Sequence, residues 1–440
     1  MKRTILISLF ALCGTAFAQN KIWSLKDCIN YAMDNNLSLE RSKLNLNSAE
    51  YDKKISKFDF LPNLNGNASQ GFSFGRAVNP TTNEFITSNI SNLSFQVNSN
   101  VTIFNAGRLQ NTFKLNKAQV KSSEYALKEL ENDISLNIAN AFLQILFQKE
   151  LLETSEQQLE LSKSQLERMK IRFQNGLESN SKLLEVESQF YTDQQSKQTA
   201  YFNLQNSRLN LFQLLDIQDY ENNEIEIPTI ETPETIEHLS VSQIFNNSKQ
   251  HLPQYKKIEA DKKVSQLNTK VTRAAKLPTL TLGAGLDSRA SKLLGSENIA
   301  TKDQLDANFS QNVNLNLSVP IFNKFRNNIN IQKSKLRELQ VNVDEKELNN
   351  KIYKDIQSSM FNAQSAYEAF KTSQKAYASS SESYNNANER YKLALLSYYD
   401  FQQSKNTLFA AKSKLIQAKY DYIFKTMILK FYQGHPITLN

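Results

Sequence analysis

The chain consists of two similar halves, and this duplication is the strongest constraint on its fold. The octapeptide VTIFNAGR at residues 101–108 returns as VPIFNKFR at residues 319–326, which is 218 residues later. The same offset aligns Arg172-Phe173 with Arg390-Tyr391, Gly176 with Ala394, and Ser179 with Ser397. Solenoid repeats have periods of about 20–50 residues. The longer period therefore predicts one duplicated structural unit of about half the chain.

The N-terminus has the features of a signal peptide. Lys2-Arg3 precedes an apolar run that ends at Cys13, and Ala16-x-Ala18 fits the small-residue cleavage rule. Lipidation of Cys13 is the alternative, but Leu12 is a poor match to the small residue that a lipobox requires. We expect a signal peptide at 1–18, a first repeat at 19–215, an acidic connector at 216–238, a second repeat at 239–433 and a tail at 434–440.

Each repeat is predicted to contain the same series of elements. A helical stretch (about 24–60 and 241–276) ends at Leu-Pro, where proline stops a helix. After two strand-like runs, a very long helix extends to a break near Gly176 or Ala394, and another helix continues to about 215 or 432. Large residues recur every seven positions in the long helices, which is typical of coiled-coil packing: Leu152, Leu159, Leu166 and Phe173, and Phe370, Tyr377, Tyr384 and Tyr391.

The strand-like runs alternate apolar residues with small polar residues. Between 308 and 321 the odd positions are mostly apolar and the even positions are mainly Asn and Ser, and residues 92–103 follow the same scheme. Weaker alternation precedes each run, around 64–74 and 280–286. The segments at about 75–90 and 288–307 are predicted to be polar loops. At the junctions, Val101, Ile103, Val319 and Ile321 are expected to be the last apolar strand positions, with Asn105 and Asn323 capping the following helices.

Two kinds of sheet fit this alternation. A soluble sheet would bury its apolar face under helices, whereas a transmembrane barrel would turn that face to lipid. The apolar seams of the helices are already used in coiled-coil packing, which favours the barrel. Four strands per chain cannot close a barrel, and open edges are not tolerated in hydrocarbon. Three subunits would supply twelve strands and leave room for a channel.

Several functional classes find no support in the residues. The three histidines have no ligand-like spacing, so no metal site or cofactor is expected, and no catalytic motif is present. The net charge of +8 comes with intermixed Lys and Glu, which is typical of solvated helix faces. For an exported protein this charge does not indicate a nucleic-acid partner. We therefore expect a protein that is not an enzyme.

Three motifs occur in the same order in both halves of the chain, and they resemble those of the TolC-like outer-membrane channel proteins of efflux and type I secretion systems. They are the helix ending in Leu61-Pro62 or Leu277-Pro278, the junction around Phe104-Asn105 or Phe322-Asn323, and the Arg-aromatic-x-x-small-x-x-Ser element at 172–179 or 390–397. The resemblance implies an α+β membrane protein with internal duplication. Long antiparallel coiled-coil helices would form a periplasmic α-barrel continuous with a transmembrane β-barrel of twelve strands per homotrimer.

The same resemblance implies partners and site residues. An inner-membrane transporter and a periplasmic adaptor protein would hand substrates to a passive exit duct in outer-membrane lipid. The residues expected at the adaptor-docking tips are Arg172, Asn175, Gly176, Leu177, Ser179, Arg390, Leu393, Ala394, Leu395 and Ser397, with Tyr391 and Asp400 at a periplasmic aperture. Ala394 and Phe325 depart from the family, where glycine is usual. The rival interpretation is a soluble periplasmic coiled-coil adaptor or scaffold protein.

Overall fold

The computed structural model describes residues 22–78, 82–218, 220, 223–229, 240–295 and 297–439. The predicted signal peptide with Cys13 lies outside these residues, as does much of the predicted connector. The first half of the chain forms β1 (Ile22–Trp23), α1 (Leu25–Asn35), α2 (Leu37–Phe58), β2 (Asn65–Ser73), β3 (Arg76–Val78), β4 (Phe85–Thr87), β5 (Ile90–Phe104), α3 (Arg108–Gln174), α4 (Asn180–Leu214) and β6 (Glu224–Ile225).

The second half repeats the main features of the first. Its elements are α5 (Val241–His251), α6 (Pro253–Ala274), β7 (Thr279–Leu293), α7 (Thr301–Ala307), β8 (Ser310–Ser318), α8 (Arg326–Lys392) and α9 (Tyr398–Gln433). Both α3 and α8 contain 67 residues, as expected for the long helix of each repeat. The duplication therefore extends to the lengths of the helices.

The first helical stretch of each repeat contains an interruption that the sequence analysis missed. Both breaks have extended backbone: Asn36 has a φ of −69° and a ψ of 124°, and Leu252 has a φ of −68° and a ψ of 126°. Pro253 disfavours helical backbone at Leu252. Asn36 instead begins a new helix, because its side-chain oxygen accepts hydrogen bonds from the backbone of Ser38 and Leu39. Each predicted stretch is thus two consecutive helices.

The predicted polar loops also contain regular structure. β3 and β4 form a short antiparallel hairpin within the first segment, and the second contains the end of β7 and all of α7. β7 continues because β5 is 15 residues long and offers it a hydrogen-bonding partner as far as Ile90. The prediction that Val319 and Ile321 are strand positions was wrong, because β8 ends at Ser318.

The main sheet has four antiparallel strands in the order β2-β5-β7-β8. Its register aligns the apolar positions, since Val101 pairs with Leu282 and Leu282 with Leu315. On the polar face, a Cβ at Gly283 would lie 2.5 Å from Oδ1 of Asn314. Glycine at this position therefore leaves room for asparagine side chains on the neighbouring strand.

The chain divides into two compact units. The helical unit comprises the described parts of 22–41, 129–252 and 351–439, and the sheet unit comprises those of 42–128 and 253–350. The helical unit has an apolar core in which α1, α3, α4 and α9 meet around the buried residues Trp23, Cys28, Phe142, Phe212 and Met427. Within the described residues, no helix combines the length and apolarity needed to cross a membrane.

The seven-residue spacing of large residues corresponds to real packing in the helical unit. The ring of Phe370 stacks on that of Tyr422, with 5.8 Å between centroids. Further along α8, Tyr391 stacks on Phe401 at 4.6 Å. The large residues of α8 thus pack against α9, as coiled-coil periodicity predicts.

Candidate functional site

The first helical break, tip 1 (172–179), has the geometry of a Schellman helix end. The amide of Leu177 donates to the carbonyl of Arg172, and the amide of Gly176 donates to that of Phe173, each at 2.9 Å. Gly176 has a φ of +73°, which glycine adopts without steric cost. Asn175 remains bonded to the preceding turn through Ile171. The glycine therefore reverses the chain between α3 and α4.

The second break, tip 2 (390–397), repeats this geometry with a less suitable residue. The amide of Leu395 donates to Arg390 at 2.8 Å and that of Ala394 to Tyr391 at 3.0 Å. Ala394 takes the left-handed position with a φ of 60°. A residue with a Cβ is disfavoured there by about 1–2 kcal/mol. The duplicated sequence thus adopts the same turn even where the glycine has been lost.

Ala394→Gly is expected to stabilise tip 2 by about 1 kcal/mol, because glycine adopts the left-handed conformation without strain. Hydrogen exchange measured by mass spectrometry in the last turns of α8 should slow by several fold. Ala387→Gly, two turns earlier in the same helix, is the matched control and should destabilise the helix by about 1 kcal/mol. Unchanged exchange in Ala394→Gly would contradict the assignment of strain to this residue.

Serine begins the next helix at both tips. The hydroxyl of Ser179 accepts a hydrogen bond from the backbone amide of Lys182 at 3.3 Å. At tip 2, the hydroxyl of Ser397 accepts from the amide of Asp400 at 3.1 Å and donates to its carboxylate at 2.7 Å. Asp400, predicted at an aperture, therefore also stabilises the start of α9. Serine at this position is among the best helix N-caps.

Each tip presents leucine side chains to solvent. Leu177 is 67 % exposed, and Leu393 and Leu395 are 69 % and 66 % exposed. Tip 1 is also charged, because Glu178 pairs with Arg172 at 3.1 Å and with Lys182 at 3.3 Å. The tips therefore combine exposed apolar side chains with charged groups that are already paired.

The structure brings the two tips together at one end of the helical unit. Beneath them, residues of α3, α4 and α9 share a buried cluster: Leu166, Met169, Val186, Tyr398 and Phe401. Tyr391 packs against the edge of this cluster, and burial raises the pKa of its phenol. Both tips thus adjoin the same buried cluster.

The predicted strand–helix junctions lie in the sheet unit and share a second kind of turn. Ala106 and Gly107 both have positive φ, and so do Lys324 and Phe325 in the second copy. The side chain of Asn105 accepts a bond from the amide of Leu109 at 3.3 Å, as a cap should. The backbone carbonyls also accept at both junctions, that of Asn105 from Arg108 at 3.0 Å and that of Asn323 from Arg326 at 3.2 Å. In the described part of the chain, a side-chain cap is therefore found at Asn105 and none at Asn323, so the prediction for the second copy was wrong.

Next to the tip cluster lies a polar cluster that the sequence analysis missed. Lys405 and Asp193 are 0 % and 1 % exposed, and Nζ of Lys405 lies 3.1 Å from Oδ2 of Asp193. Ser162 donates to Asp193 and accepts from Lys405, while Gln158 and Gln189 each donate to Oδ1 of Asp193 at 2.8 Å. Burial lowers the pKa of Lys405, and the Asp193 carboxylate opposes this shift. The cluster fastens α3, α4 and α9 to one another.

A signal for this cluster is present in the sequence. In α4 the buried residues Val186, Asp193, Ala200 and Ser207 are seven apart. A charged residue inside such a row points into the helix interface. The usual assignment of Asp and Lys to solvated helix faces hid this pattern, since charged residues were not considered as members of a buried row.

Comparison with known proteins places the chain among exported channels. The sequence profile described as Outer membrane efflux protein matches residues 28–216 and 245–431, one match for each repeat. The chain is 22% identical to the cation efflux system protein CusC of Escherichia coli O157:H7, over 92% of this chain and 84% of the relative. It is 21% identical to the outer membrane protein TolC of Salmonella enteritidis, over 91% and 80% of the two chains.

Solved structures share the fold. A crystal structure of CusC superposes with a TM-score of 0.79 at 19% identity, covering 94% of this chain and 92% of that one. The CmeC outer membrane channel of Campylobacter jejuni superposes with a TM-score of 0.78 at 19% identity, covering 93% and 85%. The two profile matches span both repeats and most of the chain, and the chain therefore belongs to the outer membrane efflux protein family.

Proposed function

We propose that this outer-membrane efflux protein acts as a homotrimer whose subunits together form the exit duct of a tripartite efflux pump or a type I secretion system. Each subunit contributes four strands to a twelve-stranded barrel in outer-membrane lipid and its long helices to a periplasmic channel. The observation that carries this proposal is a pair of solvent-exposed apolar rows on the helices next to the two edges of the sheet.

The first row is on α2, which directly precedes the edge strand β2. Leu44, Tyr51 and Phe58 are seven residues apart, and each exposes more than half of its side chain. The second row is on α8, which follows the other edge strand, β8. Ile329, Leu336 and Val343 are also seven apart and equally exposed. A seven-residue row is the pattern by which one helix packs against another.

The two rows and the two strand edges favour a ring. Edge strands expose unpaired backbone groups, and apolar rows expose side chains that water solvates poorly. If the β2 side of one subunit contacts the β8 side of the next, the edge strands pair their backbone groups and the two apolar rows are buried against each other. Such a head-to-tail contact uses two different surfaces, and it produces a closed ring when the rotation closes. Eight strands would be filled by their own side chains, whereas twelve leave a lumen.

The experiment for this function is a measurement of mass and conductance on one preparation. Protein extracted from outer membranes should have the native mass of a trimer, and it should form ion-conducting channels in planar lipid bilayers. The rival function, a soluble periplasmic adaptor or scaffold, predicts release without detergent and no conductance. That second outcome would overturn the proposal.

We further propose that the two tips dock a periplasmic adaptor protein, which connects the duct to an inner-membrane transporter. The exposed leucines, the paired charges around Glu178 and the shared core beneath both turns support this role. Tyr391 lies within tip 2 and Asp400 lies three residues after it, and their role at an aperture stays a prediction. The duct conducts passively, so the energy for export comes from the transporter.

The double substitution Leu177→Glu and Leu395→Glu is expected to reduce cross-linking to the adaptor, and substrate efflux with it, by at least tenfold. A charge that replaces a leucine in a desolvated contact leaves that charge unpaired. In vivo cross-linking and export assays would measure both effects. Glu160→Gln, on an exposed face of α3 away from the tips, is the control and should leave both unchanged. Undiminished cross-linking in the double variant would exclude docking through the leucines.

A further inference from the structure

A groove rich in lysine lies between α3 and α6 in the sheet unit, far along the chain from the tips. It has a volume of about 590 Å³. We define it as the basic groove by its five lysines: Lys114, Lys117, Lys121, Lys256 and Lys263. Its size falls within the range of about 300–1,000 Å³ that is typical of small-molecule sites.

The lysines of the groove face one another with few acidic neighbours. Lys114, Lys117 and Lys121 occupy one side of α3, because positions three, four and seven apart share a helix face. Lys256 and Lys263 are seven apart on α6, opposite them. Like charges at these spacings repel one another. The arrangement therefore concentrates positive charge that an anion would relieve.

Internal ion pairs neutralise only part of this charge. Glu259 lines the groove and lies 3.9 Å from Lys256, and Lys121 pairs with Glu124 at 3.6 Å. Within the described parts of the chain, Lys114, Lys117 and Lys263 have no ion-pair partner within 4.0 Å. Three exposed ammonium groups thus remain available to a ligand.

The floor of the groove is apolar. Ala118 and Ala260 are small residues on the two facing helices, and Leu267 is buried beneath the end of the groove. The ring of Tyr125 also lines the groove. A cationic rim over such a floor offers two kinds of contact to one molecule, charge at the edge and apolar surface below.

The spacing of the two helices is fixed by a polar contact. The hydroxyl of Ser122 on α3 donates a hydrogen bond to the carboxylate of Asp261 on α6. Asp261 also accepts from Lys257 at 3.2 Å, and it lines a different cavity, together with Arg337 and Asp344. The carboxylate of Asp261 is therefore paired with Lys257 and does not line the basic groove.

We propose that the basic groove binds amphipathic organic anions, which are molecules of drug size with an apolar body and a carboxylate or sulfonate group. The ammonium groups hold the anion and the floor covers the apolar body. This inference goes beyond conduction through the duct, and its test does not depend on conduction. The same chemistry predicts weaker binding in high salt, because salt screens exposed charges.

The test uses 1-anilinonaphthalene-8-sulfonate, an amphipathic anion, and N-phenyl-1-naphthylamine, which has the same aromatic skeleton without the sulfonate. Each is titrated by calorimetry into the protein in phosphatidylcholine nanodiscs, with empty nanodiscs as the blank. The anion should bind at least tenfold more tightly than the neutral compound. Lys117→Gln with Lys263→Gln should weaken binding of the anion at least tenfold.

Two matched variants complete the design. Lys333→Gln with Lys335→Gln removes the same charge from an exposed face of α8 and should change the affinity by less than twofold. Lys117→Arg with Lys263→Arg keeps the charge and should retain binding, which excludes a general disturbance of the fold. Equal affinity for the anion in the Gln variant and the wild type, or equal affinity for both compounds, would overturn the inference. A trimer that binds the anion without conducting would instead contradict only the proposed duct.

Discussion

Replacing Asp193 by alanine is expected to destabilise the helical unit by about 3–5 kcal/mol, since removing one partner of a buried pair leaves an uncompensated charge. Lys405 would remain 0 % exposed without its carboxylate. Gln158 and Gln189 would also lose the oxygen to which they donate. The variant therefore loses several contacts at the point where three helices meet.

Hydrogen exchange measured by mass spectrometry would locate this effect. Peptides from α4 and α9 around the cluster should exchange roughly 100- to 4,000-fold faster than in the wild type, because about 1.4 kcal/mol corresponds to a factor of ten. Peptides of the main sheet should change much less. Glu167→Ala, at an exposed position of α3, is the control and should leave exchange unchanged.

A double substitution separates the pair from its surroundings. Asp193→Leu with Lys405→Met removes both charges, and apolar replacements of a buried pair are often neutral or stabilising. We expect this variant to recover most of the protection that Asp193→Ala loses. If the single and double variants exchange equally fast, the destabilisation does not arise from an unpaired charge.

The sequence predicted the plan of the fold because the duplication and the heptads are visible in the residues. The offset between the halves aligned Gly176 with Ala394, and the structure gives both residues the same left-handed turn. The stacking of Tyr391 on Phe401 similarly follows from the seven-residue rows. These features depend on local or strictly periodic patterns of residues, so they can be predicted from a single sequence.

Other features depend on partners that are distant in the sequence. β7 extends to Leu293 only because β5 accompanies it, and its last residues show no alternation of their own. The Lys405–Asp193 pair joins residues that are 212 apart, and neither residue type indicates burial. The strand predicted through Ile321 ends earlier, at Ser318, because Pro320 cannot donate a hydrogen bond to a ladder. Such pairings are decided by tertiary contacts.

Glutamate at both Leu336 and Val343 is expected to abolish the proposed trimer. Each of the three interfaces would lose two apolar side chains, worth about 1.5–3 kcal/mol apiece when buried. Each subunit would also carry two carboxylates into a contact that excludes water. Native mass spectrometry of detergent-extracted protein should therefore detect monomers in place of trimers, and bilayer conductance should be lost.

The control variant places the two glutamates one residue earlier, and it adds one further unit of negative charge because Lys335 is replaced. Lys335→Glu with Asn342→Glu keeps the seven-residue spacing and lies about 100° around the helix from the apolar row. Both residues are exposed, as Leu336 and Val343 are. We expect this control to remain a conducting trimer. If both variants are trimeric, the row on α8 is not the contact between subunits. If both are monomeric, added charge alone disrupts assembly, and the experiment does not identify the row as the contact between subunits. Leu336 and Val343 are identified as part of the ring only if the first variant loses the trimer and the control retains it.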